Sequence, residues 1–275
     1  MTHPISFGLR MRQAAQRPLI SVHRGLWGPA PENSITAIEN SRPYDIVEID
    51  VHLSADEVPF LMHDPTLERM TGRVEACSAL TFDAIEKLPL KTGAGGPEAM
   101  FSSQCIPSLQ AALAAAGPGL YFDIDVKDPR EIEAVANSIA DSGFRHRCSL
   151  KIDTWQAEDI KSLIDLEARF GVTIIAKVVL PKTGITHIGD LASAGVAAAE
   201  IWFDDVAQIE MARELAGTNF SLITYTLNSV HCCSLNDDLA LTDPDRVWGA
   251  LRRAGIDVVM TDQAAELALY LSSTS

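Results

Sequence analysis

Residues 46–53 read Ile46-Val47-Glu48-Ile49-Asp50-Val51-His52-Leu53. Side chains two apart on a strand share a face, so Val47, Ile49 and Val51 line one side while Glu48 and Asp50 share the other. Residues 122–127, Phe122-Asp123-Ile124-Asp125-Val126-Lys127, repeat the pattern, with Asp123, Asp125 and Lys127 opposed to an apolar face. Charged groups do not sit in buried strands unless they are paired or hold a metal. In a barrel of parallel strands the aliphatic face would meet the helices and the charged face would point inward. Active sites of such barrels lie at the C-terminal strand ends.

The rest of the chain supplies the units such a barrel needs. Runs rich in Val, Ile, Phe and Tyr predict strands at 19–24, 46–53, 58–63, 120–127, 148–153, 173–180, 198–203, 220–227 and 257–261. Helical patterns fall at 108–116, 129–142, 156–170, 207–216, 244–254 and 264–271. Alternating strands and helices predict an α/β fold, a TIM (β/α)8 barrel spanning 1–275 as a single domain, with 58–63 as an extra piece. A doubly wound open sheet is the competitor, but neither G-x-G-x-x-G nor a P-loop is present. Residues 66–106 break the rhythm with Gly, Pro and charge, and predict a small insertion subdomain after the second strand region, over one end of the barrel.

Composition narrows the partners. The 275 residues carry 37 acidic and 22 basic side chains, a formal net charge of -15. That field repels phosphate backbones and anionic lipid, so neither nucleic acid nor stable membrane association is expected. A small anionic substrate feels the local site more than the distant field. Five cysteines, two of them adjacent at Cys232-Cys233, form no disulfide framework and no metal-binding spacing. Residues 1–17 contain no continuous apolar stretch to read as a leader, and no run reaches bilayer length. A reducing cytoplasm is the expected location.

Carboxylates converging from two strands without cysteine make a hard oxygen cage, suited to Mg²⁺ or Ca²⁺, with Mn²⁺ a further option, rather than zinc. The plainer reading is strand-end charges paired with lysine. His23 and His63 each end a predicted strand. An imidazole pair beside carboxylates suits general acid–base work, whereas a lone strand-end histidine is more often structural. Arg24 and Lys127 suit phosphate oxygens, or alternatively neutralise the carboxylates. His52, His146, His187 and His231 lack such company and read as surface residues, and His3 as part of a tail.

The ordered set His23-Arg24-Gly25, Pro31-Glu32-Asn33-Ser34, Glu48-x-Asp50-Val51 and His63-Asp64-x-x-Leu67-x-Arg69-x-Thr71 resembles the glycerophosphodiester phosphodiesterase family. The likeness continues through Ile106-Pro107-Ser108-Leu109, Asp125-x-Lys127, Tyr225-Thr226-Leu227-Asn228 and residues 255–262. It implies a TIM barrel with a small insertion, one divalent cation, and hydrolysis of a small phosphodiester to a phosphomonoester and an alcohol. By position, Glu48, Asp50 and Asp125 would be metal ligands, and His23 and His63 the acid–base pair. Arg24 and Lys127 would bind phosphate, and Glu32 and Asn33 would order the loop behind His23.

Three departures bear on the resemblance. Asp125 stands where the family usually has Glu, Tyr225 where it has Trp, and Gln263 where it often has Pro. The related sphingomyelinase D enzymes use Asp at the first of these positions. Trp202 and Tyr225 are candidate substrate contacts, with Trp27, Lys151, Lys177 and Phe203 as further lining residues. Aromatic faces beside polar groups also suit a sugar phosphodiester of the opine type. A sphingomyelinase D-like phospholipase and a non-catalytic phosphodiester-binding protein are the remaining alternatives. Oligomeric state is not legible.

Overall fold

The computed structural model describes residues 5–13 and 17–274, and His3 lies outside them. The strands in chain order are β1 (Leu19–Val22), β2 (Ile46–Leu53), β3 (Pro59–Leu61), β4 (Pro89–Lys91), β5 (Phe101–Cys105) and β6 (Tyr121–Val126). They continue with β7 (Cys148–Asp153), β8 (Thr173–Val179), β9 (Ala198–Trp202), β10 (Ser221–Tyr225) and β11 (Val258–Thr261). The sheet order is β1-β11-β10-β9-β8-β7-β6-β2-β3, and β1 also pairs with β2. This closes a (β/α)8 barrel, with helices in the connections between its strands. β3 is outside the closure, antiparallel on β2 with Val51 opposite Leu61.

Several strands stop short of their expected ends for local reasons. β1 ends at Val22 because Arg24 takes a left-handed backbone (φ 54). β8 ends at Val179 because Leu180–Thr183 opens a helical turn with Pro in its first positions. The helices Ile35–Asn40 and Asp237–Thr242 are only six residues each, too short to show a period, and are announced instead by their caps. Ser34 accepts from Ala37 N, and Asn236 from Leu239 N. The expected helix at 244–254 opens as a π-helical turn, Asp245–Gly249, before Ala250–Ala254.

The chain forms two compact units, residues 22–150 and residues 1–21 with 151–275. In the first, residues 66–106 contain the antiparallel pair β4–β5. A small apolar core gathers there from Phe60, Met62, Leu67, Met70, Cys77, Ile85, Leu90 and Ile106, all nearly fully buried. In the second, Asp237 is buried and accepts from Thr226 Oγ1 (2.5 Å), Thr261 Oγ1 (2.7 Å) and Asp262 N (2.9 Å). The Tyr225-Thr226 and Thr261-Asp262 motifs are thus tied together through one carboxylate.

Gly25 follows the strained Arg24 at φ +77, and a Cβ there would meet Ala37 Cβ at 2.8 Å and its carbonyl carbon at 2.9 Å. Gly25→Ala is therefore expected to destabilise the chain by roughly 2–3 kcal/mol, from left-handed strain plus the clash. Urea unfolding measures this, and an unchanged midpoint would show that the turn relaxes freely.

Candidate metal and phosphate site

The first unit contains its charged groups where the strands end. Register places Asp50 opposite Asp125 and Glu48 opposite Asp123. Glu48, Asp50 and Asp125 each present a carboxylate oxygen, all within 4.8 Å of one another. Glu48 and Asp50 are buried and Asp125 is half-buried. Two cations press on this cluster. Lys127 Nζ lies 2.6 Å from Asp50 Oδ1 and 2.7 Å from Asp125 Oδ2. Arg24 donates from its backbone N to Glu48 Oε2 (2.9 Å), and its Nε lies 3.3 Å from Asp50 Oδ2.

Burial pushes the Asp50 carboxyl up, but Lys127, Arg24 and His63 outweigh it and hold the group well below its ordinary range. Burial pulls the Lys127 ammonium down, and Asp50, Asp125 and Glu48 reverse this and hold it above its usual value. Both groups are therefore charged at neutral pH. A buried carboxylate this strongly ionised, beside two more, fits a hard divalent cation. The Arg24 Nε adds a buried donor with no aligned acceptor, which suits an incoming anionic oxygen.

Around the cluster runs a chain of ion pairs. Arg24 Nη1 donates to both Glu32 carboxylate oxygens (3.2 and 3.1 Å). Arg69 Nη2 donates to Glu32 Oε1 (2.7 Å), and Arg69 Nε to Asp64 Oδ2 (2.8 Å). Asp64 Oδ1 lies 2.7 Å from His63 Nδ1. Asn33, itself left-handed at φ 54, donates Nδ2 to Asp50 Oδ2 (2.8 Å) and accepts from Asp50 N (3.0 Å). The Pro31-Glu32-Asn33-Ser34 stretch thus supplies a counter-charge, a brace for Asp50 and a helix cap, in that order along the chain.

Hydrogen bonds from Arg69 hold the Asp64 carboxyl down to about 2, below its ordinary 3.8. A carboxyl lower in the folded than in the unfolded chain adds stability above its unfolded pKa and loses it as pH falls. Asp64→Asn should accordingly flatten the part of the acid-unfolding curve between about pH 4 and pH 2. Thermal melts across that window test this, and parallel curves for both proteins would refute it.

Of the residues singled out from sequence, this unit brings together Arg24, Glu48, Asp50, Asp125, Lys127 and His63. His23 directly follows β1, is half-buried and precedes Arg24 in the same turn. Trp202 and Tyr225 belong to the other unit, half-buried at the last positions of β9 and β10. Burial pushes the Tyr225 phenol up, with Cys232 and Glu200 adding to the effect. Lys151 is buried, its Nζ 2.7 Å from Glu200 Oε2.

Some expectations need correction. Phe203 is fully buried core rather than pocket lining, because it follows the last residue of β9 on its apolar side. His52 and His187 are buried rather than on the surface. His52 falls on the same face of β2 as Glu48 and Asp50, and its Nδ1 lies 3.9 Å from Glu131 Oε2. His187 sits on the buried side of the helix Thr186–Ser193. His231 is half-buried and His146 exposed. Sequence reasoning gave no role to Arg69, Asp64 or Glu200. The first two lay within a quoted motif, and Glu200 carried the signal of a lone acid inside an apolar strand.

The sequence profile of the glycerophosphoryl diester phosphodiesterase family matches residues 23–266. The chain belongs to this family. The Bos taurus glycerophosphodiester phosphodiesterase 1 is 36% identical over 113 residues, 37% of this chain and 32% of the bovine protein. The matched stretches span less than half the length of such curated relatives. A glycerophosphoryl diester phosphodiesterase from Parabacteroides distasonis superposes with a TM-score of 0.76 at 23% identity, covering 99% of this chain and 94% of that one. A phosphodiesterase from Oleispira antarctica, solved in complex with the product sn-glycerol-3-phosphate, has a TM-score of 0.66 at 22% identity, over 93% and 97% of the two chains. This glycerophosphoryl diester phosphodiesterase family member shares their TIM-barrel fold.

Proposed function

We propose that this chain hydrolyses a small glycerophosphodiester to a phosphomonoester and an alcohol. The observation that carries the reading is the convergence of Glu48, Asp50 and Asp125 beneath Arg24 and Lys127 in a chain of this family. Glu48, Asp50 and Asp125 would hold one divalent cation, Mg²⁺ or Ca²⁺ with Mn²⁺ as a further option, which polarises a phosphoryl oxygen when bound. Arg24 would clamp a phosphoryl oxygen through its half-free guanidinium edge, and Lys127 would offset the charge that builds as the phosphorus is attacked. Both are held beside acids that keep them protonated.

His63 and His23 would carry the protons. With Nδ1 hydrogen-bonded to Asp64, the His63 ring exposes Nε2 as its working nitrogen. One imidazole takes the proton from the attacking hydroxyl as the new P–O bond forms. The other gives a proton to the alkoxide as the ester P–O bond breaks. The attacking hydroxyl is water or a neighbouring hydroxyl of the substrate, the latter passing through a cyclic phosphate. Trp202 and Tyr225 are proposed to contact the alcohol half.

A free small molecule is proposed as the substrate, not nucleic acid or a membrane. Among the described residues no helix is long and apolar enough to cross a bilayer. The cytoplasm is the proposed location, which agrees with five free cysteines. Asp125 supports one second reading, a sphingomyelinase D-like specificity, since that position is Asp in those enzymes.

The test is phosphomonoester release from glycerophosphocholine, glycerophosphoethanolamine, a sugar phosphodiester and lysophosphatidylcholine, with EDTA or with added Mg²⁺, Ca²⁺ or Mn²⁺. Turnover of a glycerophosphodiester that EDTA removes and one cation restores is expected. Turnover of lysophosphatidylcholine alone would favour the second reading. No turnover of any diester by folded protein would overturn both.

A further inference from the structure

The second unit contains a pocket of about 420 Å³ lined by Arg12, Arg17, Arg213, Arg252 and a single carboxylate, Asp257. Four of the chain's 22 basic side chains thus meet at one cavity of a protein whose formal net charge is -15. Like charges are not gathered in this way for stability, since each added cation raises the energy of the others. Nor does Asp257 balance them. Its Oδ2 is already committed, accepting from the Arg213 guanidinium and from Leu222 N (2.8 Å).

Arg213 is the structural member of the group. Its nitrogens are spent on the carbonyls of Gly255, Gly217 and Phe220 and on Asp257, closing the loops that lead into β10 and β11. The other three are differently placed. Arg252 uses Nη1 on Thr274, and Arg17 uses Nη1 on the neighbouring Pro18 carbonyl. The charge of Arg12 reaches Glu167, which is not among the lining groups. A guanidinium has five N–H donors in a planar fork, so Arg12 and Arg252 alone bring more donors to the cavity than these bonds use.

We infer that this pocket binds a small phosphate-bearing anion, held by Arg12, Arg17 and Arg252 on a frame fixed by Arg213. Its lining shares no residue with the carboxylate cluster. The inference does not rest on the proposed hydrolysis, and an inactive protein would still bind.

Pyrophosphate is the probe, added to the full chain in EDTA, with sodium chloride at matched ionic strength as the control. Each protein is compared with its own ligand-free melting temperature. Pyrophosphate at about 100 times its Kd should raise the Tm by about 5 °C in the wild type. It should do the same in Lys127→Met, whose proposed phosphate contact is gone. The shift should vanish in the Arg12→Gln/Arg252→Gln double variant, with Arg17→Gln as an independent second variant should the double one fail to fold. A shift that survives these pocket substitutions, disappears in Lys127→Met, or is matched by chloride would overturn the inference.

Discussion

Asp50→Asn is expected to lower kcat/KM by roughly 10³-fold or more and to destabilise the fold by about 3 kcal/mol. Asp50 meets both cations of the cluster and the asparagine behind it. It faces Lys127 at 2.6 Å and Arg24 at 3.3 Å, and it is braced by Asn33 on both its side chain and its backbone. A neutral amide keeps the shape but removes, at a 1% exposed position, a negative charge that both cations face. Removing one partner from a buried pair costs more than the pair itself contributes. Steady-state kinetics and urea unfolding read the two losses separately. Near-normal kcat/KM in a folded Asn variant would remove Asp50 from the chemistry.

His23→Ala and His63→Ala are each expected to cut kcat by about 10²–10⁴-fold on a natural diester. Changing the leaving group separates their roles. p-Nitrophenolate departs without a proton, so the variant lacking the general acid should regain most of its rate on a p-nitrophenyl diester. The variant lacking the base should stay slow on both substrates. Asp64→Asn should give a smaller loss on both, since it loosens the His63 ring without removing it. If neither alanine variant loses kcat, the two-histidine scheme fails. If both recover on the activated ester, neither histidine is the base.

The barrel was legible because its signal is local. Glu48 and Asp50 alternate with Val47, Ile49 and Val51 inside one strand, and the same rhythm returns with Asp123 and Asp125. Extended runs separated by amphipathic ones do the rest. The ion-pair chain from Arg24 through Glu32, Arg69 and Asp64 to His63 was not legible, because its links join segments up to 37 positions apart. Nothing in residue type says that Arg69 will reach back to Glu32. His52 could have been placed, since the alternation that aligned Glu48 with Asp50 continues to it. Its burial is not signalled along the chain, because the group it faces, Glu131, lies far from it in sequence. The six-residue helices Ile35–Asn40 and Asp237–Thr242 fall below any period and are signalled only by their caps, while the four-residue turns Glu68–Thr71, Phe82–Ile85 and Leu180–Thr183 have no side-chain cap to signal them.

The position of β11 has a consequence for how the molecule is made. β1 pairs with β11, and Leu19 N donates to the carbonyl of Asp257 at 2.8 Å. During synthesis β1 emerges long before β11 and waits for that partner strand. The small core between Phe60 and Ile106 involves only residues close in sequence and can gather long before that. Until Val258–Thr261 has been made, the nascent chain therefore carries an apolar strand, Leu19–Val22, with an open edge. Any truncation that removes Val258–Thr261 makes that exposure permanent, and turns a closed barrel into a sheet with a site for intermolecular pairing.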